Sequence, residues 1–404
     1  MFKISKITFY GIIFLSGVSC LGQNIKLIPS FFDDQFLKYD TVFYDHSVGE
    51  RVQKNESIDP AIIKIRLDSL NELTPLNIGY NDEVLNYISF YLLQRKDLVA
   101  NLLTLSKYYF PIFEEILDKH ELPHELKYIP IIESALNPNA RSPMGAVGLW
   151  QFMYFTAKEH NLRINSYLDE RKDTYKATNA ACEYFDKSYR VFNNWELAIA
   201  SYNAGRGNVT KAIRRSGGKI NYWEVRPFLP KETRNYLPAF IASIYVLNFA
   251  EWHGVEPAEN KFFQLHKIDS IHLKKPVKLA HLSKILQIDQ AILEDLNPTY
   301  SIKLIPYLDD IKFPVFLPDY KWGVFLNNED SIYNELEKME RLEALTYPLY
   351  TDIEKIKYKV KNGDYLGKIA KKYNCQVSDI IQWNDLRSTK IKSGKTLYIY
   401  RKIK

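Results

Sequence analysis

The chain has 404 residues, which suggests two or three domains at roughly 150 residues each. With 46 % hydrophobic and 25 % charged residues it is not disordered from end to end, and 3 Cys cannot form a disulfide scaffold. The net charge of +6 is unevenly placed. Residues 351–404 hold 14 Lys and Arg against 5 Asp and Glu, leaving the rest at −3, which argues against a nucleic-acid binder with a basic surface throughout. The 14 % aromatic content suits sugar stacking, and equally suits a plain core.

The first 22 residues read as an export signal: Lys3 and Lys6 precede a mostly apolar run over 7–18, too short to span a membrane. Cleavage after Gly22 is the expectation, with lipid on Cys20 as the competing outcome. Either places the mature chain in the periplasm or cell envelope. The remaining Cys182 and Cys375 fall in different domains and are expected to be free thiols.

Residues 24–56 are polar and irregular, with Phe31, Phe32, Phe36 and Phe43 suggesting an arm that packs on a neighbour. From Pro60 apolar residues recur at helical spacing, through Ile62 to Leu73, Val84 to Leu93 and Leu102 to Ile116. Pro123 opens a further helix through Ile132. Later helices are predicted over 156–162, 176–192, 195–203, 209–214 and 233–250. No run of alternating strands appears in 60–255, so this stretch is an α-helical domain large enough to bury its own core. Beyond Trp252 short β-like runs such as 312–317 appear among short helices. The 319–350 stretch reads as a linker, partly helical over 332–345, before a compact module.

A shift of 87 residues places Leu279 on Leu366, Leu282 on Ile369, Leu293 on Ile380 and Asn297 on Asn384. Residues 270–318 therefore read as a degenerate copy of the last module, with Pro276-Val277 where the other has Gly363-Asp364.

Four segments carry chemistry. Glu133 lies between Ile131, Ile132 and Leu136. Desolvation there would raise its pKa, as a general acid needs near neutral pH, although a Glu beside apolar neighbours usually has its head in water. In Gly145-Ala146-Val147-Gly148-Leu149-Trp150-Gln151-Phe152-Met153, two glycines permit close backbone approach, Gln151 offers donor and acceptor, and Trp150, Phe152 and Met153 offer apolar surface. That mixture suits a sugar, or a loop packed on the core. Ser201-Tyr202-Asn203-Ala204-Gly205-Arg206-Gly207 reads as a helix end and turn, lacking the strand and third glycine of a dinucleotide site. Glu232-Thr233-Arg234-Asn235-Tyr236 reads as another helix start.

In this order the four segments, with Asp169-Glu170-Arg171-Lys172-Asp173 between them, resemble the catalytic domain of the family 1 lytic murein transglycosylases over about 75–255, nearest to the membrane-bound D-type subgroup. Tyr154 stands where that family often has Pro. The resemblance implies a lysozyme-like α-helical fold. It also implies that Glu133 is the sole acid and base cleaving the bond between N-acetylmuramic acid and N-acetylglucosamine, closing a 1,6-anhydro ring without water. Ser134, Gln151, Met153, Tyr202, Asn203 and Tyr236 would hold the sugar or orient Glu133.

The segment 358–400 resembles a LysM module, a small βααβ fold binding N-acetylglucosamine-containing glycans. It does so through Tyr358-Lys359-Val360, Gly363-Asp364, Leu366, Ile369-Ala370, Tyr373, Ile380 and Asn384-Asp385-Leu386. The implied glycan contacts are Gly363, Asp364, Tyr365, Asn384, Asp385 and Leu386, with Tyr365 in place of the usual Thr or Ser.

The expected architecture is thus mainly α, a lysozyme-like catalytic domain followed by small α+β LysM modules. It divides into a signal (1–22), an arm with the first helix (23–74), a catalytic domain (75–255), a degenerate LysM-like region (256–318), a linker (319–355) and a LysM domain (356–402). Peptidoglycan strands are the expected partner of a monomer. No nucleic acid, metal or other cofactor is implied: His120, Glu121 and His124 straddle Pro123 and do not share a helical face, and no Walker loop or nucleophile elbow occurs. Hydrolysis by a second carboxylate, with Asp169, Glu170 and Asp173 nearest in sequence, and a non-catalytic wall-binding role stand as alternatives.

Overall fold

A computed structural model describes residues 58–259, 267–308, 311–342 and 353–402, apart from 385 and 387. The export signal, Cys20 and the aromatic arm of 24–56 lie outside the described residues.

Asn, Asp and Pro start several helices of the first domain. Asp59 accepts the Ala61 N–H ahead of α1 (Pro60–Asn71), and Asn81 accepts the Val84 N–H ahead of α2 (Asp82–Ser89). α3 (Lys96–Lys119) is long and amphipathic, burying Leu98, Leu102, Leu105, Phe113 and Leu117. The predicted helix from Pro123 through Ile132 is in fact broken. A 3-10 turn over His124–Tyr128 leads into a short α4 (Ile129–Ser134). Pro130 explains this: it has no N–H to donate to Leu126, and it sits instead in the first turn of α4, where none is needed.

α5 (Tyr154–Glu159) follows, then α6 (Thr174–Phe192), capped by Asp173, and α7 (Trp195–Ala204), capped by Asn194. α8 (Arg206–Arg215) and α9 (Tyr222–Val225) lead to α10 (Tyr236–Phe249), whose residues from Tyr236 to Val246 are all buried. An apolar helix with no wet face belongs at the centre of a bundle, and α10 packs against α2, α3, α4 and α7. One continuous core joins α1 to α10.

Two βααβ units follow. In the first, β1 (Ile268–His272) pairs antiparallel with β4 (Pro314–Pro318), with Ser270 opposite Phe316. Between them lie α11 (Leu279–Leu286) and α12 (Gln290–Leu296), and a short β2 (Val277–Lys278) pairs with β3 (Leu304–Ile305). The stretch after β4 is less of a spacer than expected. α13 (Asp319–Asn327) and α14 (Glu329–Leu342) put Phe325, Ile332 and Leu336 into this unit's core.

The second unit comprises β5 (Ile353–Lys359), α15 (Leu366–Tyr373), α16 (Val377–Trp383) and β6 (Thr396–Lys402). The offset of 87 residues carries α11 onto α15 and α12 onto α16 end for end. It also carries a hydrogen-bond knot. Asn384 Nδ2 donates to the Ile380 and Tyr398 carbonyls while its Oδ1 accepts the Tyr398 N–H. Asn297 does the same with Leu293 and Phe316.

The first unit is seated on the helical domain. The Asp169 N–H donates to the Thr299 carbonyl at 2.9 Å and the Ser301 N–H to the Tyr167 carbonyl at 2.8 Å, and Tyr167 and Leu168 belong to that unit's core. Among the described residues no helix is long and apolar enough to cross a membrane. Cys182 is buried and Cys375 half-buried, both as free thiols, and burial pushes them up to about 12 and about 11.

Candidate active site

Glu133 sits in the last turn of α4, which ends in two consecutive left-handed residues, Ala135 and Leu136 (φ 52° and 60°). For residues with a Cβ each costs about 1–2 kcal/mol, and the pair turns the chain away directly behind the carboxylate. The Tyr236 hydroxyl, at the buried start of α10, donates to Glu133 Oε1 at 2.6 Å. Burial pushes the Glu133 carboxyl up to about 8; the Tyr236 hydrogen bond works the other way, and the charge of Glu232 adds a further upward push. Tyr202 is held well above the ordinary phenol range by burial and, next, by Glu133.

The loop over 145–153 faces this carboxylate's helix. Gly148 has φ +89°, and a Cβ there would lie 1.9 Å from the Arg171 carbonyl oxygen, so only glycine fits. Gln151 is itself left-handed (φ 48°), and its Nε2 donates to the Ala140 and Gly148 carbonyls. The loop is clamped from behind by buried Arg171. Its Nε and Nη2 fork onto Asp169 at 2.9 and 2.7 Å, and Nη1 donates to the Gly145 and Phe152 carbonyls.

Short bonds tie these elements together. The Ser134 hydroxyl lies 2.9 Å from both the Pro130 and Leu149 carbonyls and shares its one hydrogen between them. The Tyr202 hydroxyl donates to the Trp150 carbonyl at 2.7 Å, its ring stacked on Phe185. Asn203 Oδ1 accepts the Thr233 hydroxyl at 2.7 Å, linking the end of α7 to the start of α10.

Glu133 and Tyr236 thus meet directly. Ser134 and Tyr202 join α4 and α7 to the loop carrying Gln151, and Asn203 anchors the segment carrying Tyr236. Met153 is exposed, whereas Trp150 and Phe152 are buried and form core rather than a sugar surface. Trp150 Nε1 donates inward to Thr178. Three further contributors, Arg171, Thr233 and Glu232, have roles that sequence alone does not announce. All three lie inside the motifs, but a buried clamp and an exposed charge look alike in a string of letters.

The acidic residues of 169–173 are committed elsewhere. Asp169 is forked by Arg171. Glu170 pairs with Arg163 and Lys176, which hold its carboxyl below the usual range against its burial. Asp173 caps α6, and burial pushes its carboxyl up. His120 meets Asn179 and His124 meets Asp118.

In the last module Gly363 takes φ +83° at a tight turn. Asp364 accepts the Tyr358 hydroxyl at 2.6 Å and the Lys361 N–H at 2.9 Å, and these bonds hold its carboxyl below the usual range. Tyr365 is exposed, Leu386 packs on the module's core, and the Asn384 amide is consumed in its knot. Asp385 lies outside the described residues.

Comparison with known proteins gives these features a context. The Transglycosylase SLT domain family matches residues 110–223, spanning Glu133, Gln151, Tyr202 and Asn203, and the LysM domain family matches residues 358–399. Membrane-bound lytic murein transglycosylase D of Escherichia coli K12 is 28 % identical over 330 residues, 80 % of this chain and 70 % of that protein. Soluble lytic murein transglycosylase of Salmonella typhimurium is 37 % identical over 119 residues, 27 % of this chain and 18 % of that protein. The solved 70 kDa soluble lytic transglycosylase of E. coli aligns with TM-score 0.32 and 23 % identity, covering 49 % of this chain and 31 % of that one. The chain carries a Transglycosylase SLT domain with a LysM domain behind it, and is a peptidoglycan lytic transglycosylase.

Proposed function

We propose that this chain cleaves the β-1,4 bond between N-acetylmuramic acid and N-acetylglucosamine without consuming water, using Glu133 first as acid and then as base. Protonated Glu133 gives its proton to the glycosidic oxygen. The substrate's 2-acetamido group stabilises C1 where a second carboxylate serves in most glycosidases. Glu133, now a carboxylate, takes the proton of the C6 hydroxyl, and O6 closes onto C1 as a 1,6-anhydro ring. The observation that carries this reading is a half-buried carboxyl raised by desolvation to about 8 and bonded to Tyr236, so that it is protonated at neutral pH. A hydrolytic course needs a second carboxylate roughly 5–9.5 Å away; Asp169, Glu170 and Asp173 are all engaged in ion pairs or caps. Ser134, Gln151, Met153, Tyr202 and Asn203 are assigned to shaping the cleft, Tyr236 to orienting Glu133, and the LysM domain to holding the wall. The site of action is the cell envelope.

Mass analysis of muropeptides from purified peptidoglycan tests the reading. Ends lighter by one water are expected; reducing ends would mean hydrolysis, and no products a binding protein. Glu133→Gln is expected to abolish turnover and keep binding, and full residual activity would overturn the assignment.

A further inference from the structure

At the opposite end of α7 from Tyr202 and Asn203, the α1–α2 connection, the α6–α7 corner and the start of α9 enclose a pocket of 380 Å³. That volume lies in the range of small-ligand sites, roughly 300–1,000 Å³. From its capping Asn194 to Asn203 the helix rises by about 13 Å, so the pocket is separate from the cleft.

Its walls have a consistent chemistry. Three asparagines spend their side-chain oxygen on a backbone N–H: Asn71 on Ile78 at 2.8 Å, Asn194 on Leu197 at 2.8 Å and Asn221 on Trp223 at 2.9 Å. Fixing the oxygen fixes the amide plane and leaves each NH2 group, with two donors, in a set direction. Among the described residues none of these NH2 groups has a partner. Two half-buried indoles also border the pocket, whose exposed lining is mostly polar, and the Arg226 guanidinium lies 6.0 Å over the Trp223 ring. Trp195 stacks on Tyr189 at 4.1 Å between centroids, and Trp223 meets Tyr222 edge-on at 5.2 Å. Glu196 is buried at the pocket and gives one carboxylate oxygen to the Asn77 N–H at 2.6 Å.

Donors in fixed directions call for a ligand rich in acceptor oxygens, and the buried Glu196 carboxylate disfavours an anion and favours hydroxyl donors. A neutral pyranose bearing hydroxyls and an N-acetyl carbonyl meets both demands, whereas a phosphate or a peptide carboxylate meets only the first.

We propose that this pocket is a second saccharide site, which takes a neutral N-acetylated amino sugar of a glycan strand apart from the cleft at Glu133. The choice of amino sugar rests on the peptidoglycan reading; the donor geometry does not. The test is a titration of full-length Glu133→Gln protein with the N-acetylglucosamine trimer, followed by the indole N–H resonances. Trp195 and Trp223 report the pocket, and Trp150, bonded to Thr178 behind the cleft loop, reports the cleft. At these three indoles, and apart from any binding at the LysM domain, the expected result is two saturable events with different midpoints. Asn77→Arg, which fills the pocket mouth at an exposed residue, should raise the pocket midpoint at least tenfold and leave that of Trp150 unchanged. Trp223→Ala should do the same with Trp195 as reporter, and both changes in the parent protein should retain turnover of a short soluble glycan. Silent Trp195 and Trp223 resonances, or one midpoint shared with Trp150 and indifferent to Asn77→Arg, would overturn the proposal. Movement of the pocket resonances with Trp150 silent would uphold the pocket and count against the cleft reading instead.

Discussion

In the proposed mechanism Glu133 serves as an acid only while it holds its proton, so its raised carboxyl would set the alkaline end of the working range. With the group at about 8, kcat/KM should stay level through neutral pH and fall as pH rises past about 8. Tyr236→Phe removes the bond that favours the carboxylate. The alkaline limb should then move to higher pH while the rate drops by roughly tenfold or more, because the acid is no longer aimed. Glu232→Gln removes a like charge and should move the limb down; a pH–rate series on the three proteins checks both signs. The same group bears on stability. Its folded value is above its unfolded value of about 4.3, so its contribution is full below the unfolded value and is lost as pH rises through about 8. Glu133→Gln has nothing to lose there, and its Tm should exceed the parent's by more at pH 9 than at pH 5. At this scale sequence was a partial guide. Apolar neighbours pointed to desolvation of Glu133 without proving it, and Trp150 and Phe152 could be read as sugar platforms or as core, because an aromatic side chain is written identically whether it faces a ligand or a core.

Among the elements, the loop over 145–153 and the run over 163–173 form one device, since the first cannot hold its shape without the second. Gly148→Ala would drive a Cβ into the Arg171 carbonyl and should cost more than about 3 kcal/mol. Arg171→Met would strand the Asp169 carboxylate and leave the Gly145 and Phe152 carbonyls unpaired. A loss of roughly 3–5 kcal/mol is expected, read from urea unfolding, together with lost turnover. The repeat supplies a separate check. Asn384→Ala should melt the last unit early in calorimetry and leave the catalytic transition in place, because its three bonds are internal to that unit. Helix positions in the first domain were legible because apolar spacing and Asn, Asp and Pro starts agree. The region of 123–134 was misjudged because Pro130 overrode a good helical pattern. The offset of 87 was visible in four matched residues, but the reason Asn recurs became clear only as a knot between the second helix and the closing strand.

For the whole molecule, charge and attachment separate. The excess of Lys and Arg lies beyond residue 350, outside the catalytic domain. Truncation after Tyr350 should weaken retention on isolated sacculi and change turnover of a short soluble glycan by less than about twofold. Salt should weaken the retention of the full chain more than that of the truncated one, as screening over about 10 Å at 0.1 M requires. The first βααβ unit is bound differently. Tyr167 and Leu168, from the enzyme, are built into its core, and its own Thr299 carbonyl and Ser301 N–H complete the backbone bonding of the 167–169 run. Removing it would uncover apolar side chains directly before the Arg171 clamp, so the helical domain has a structural need for this copy whether or not it ever touches sugar. For anyone cutting or grafting this chain, the helical domain and the first βααβ unit with α13 and α14 are inherited together, and a fragment ended at 255, where composition first changes, should come out of the cell insoluble.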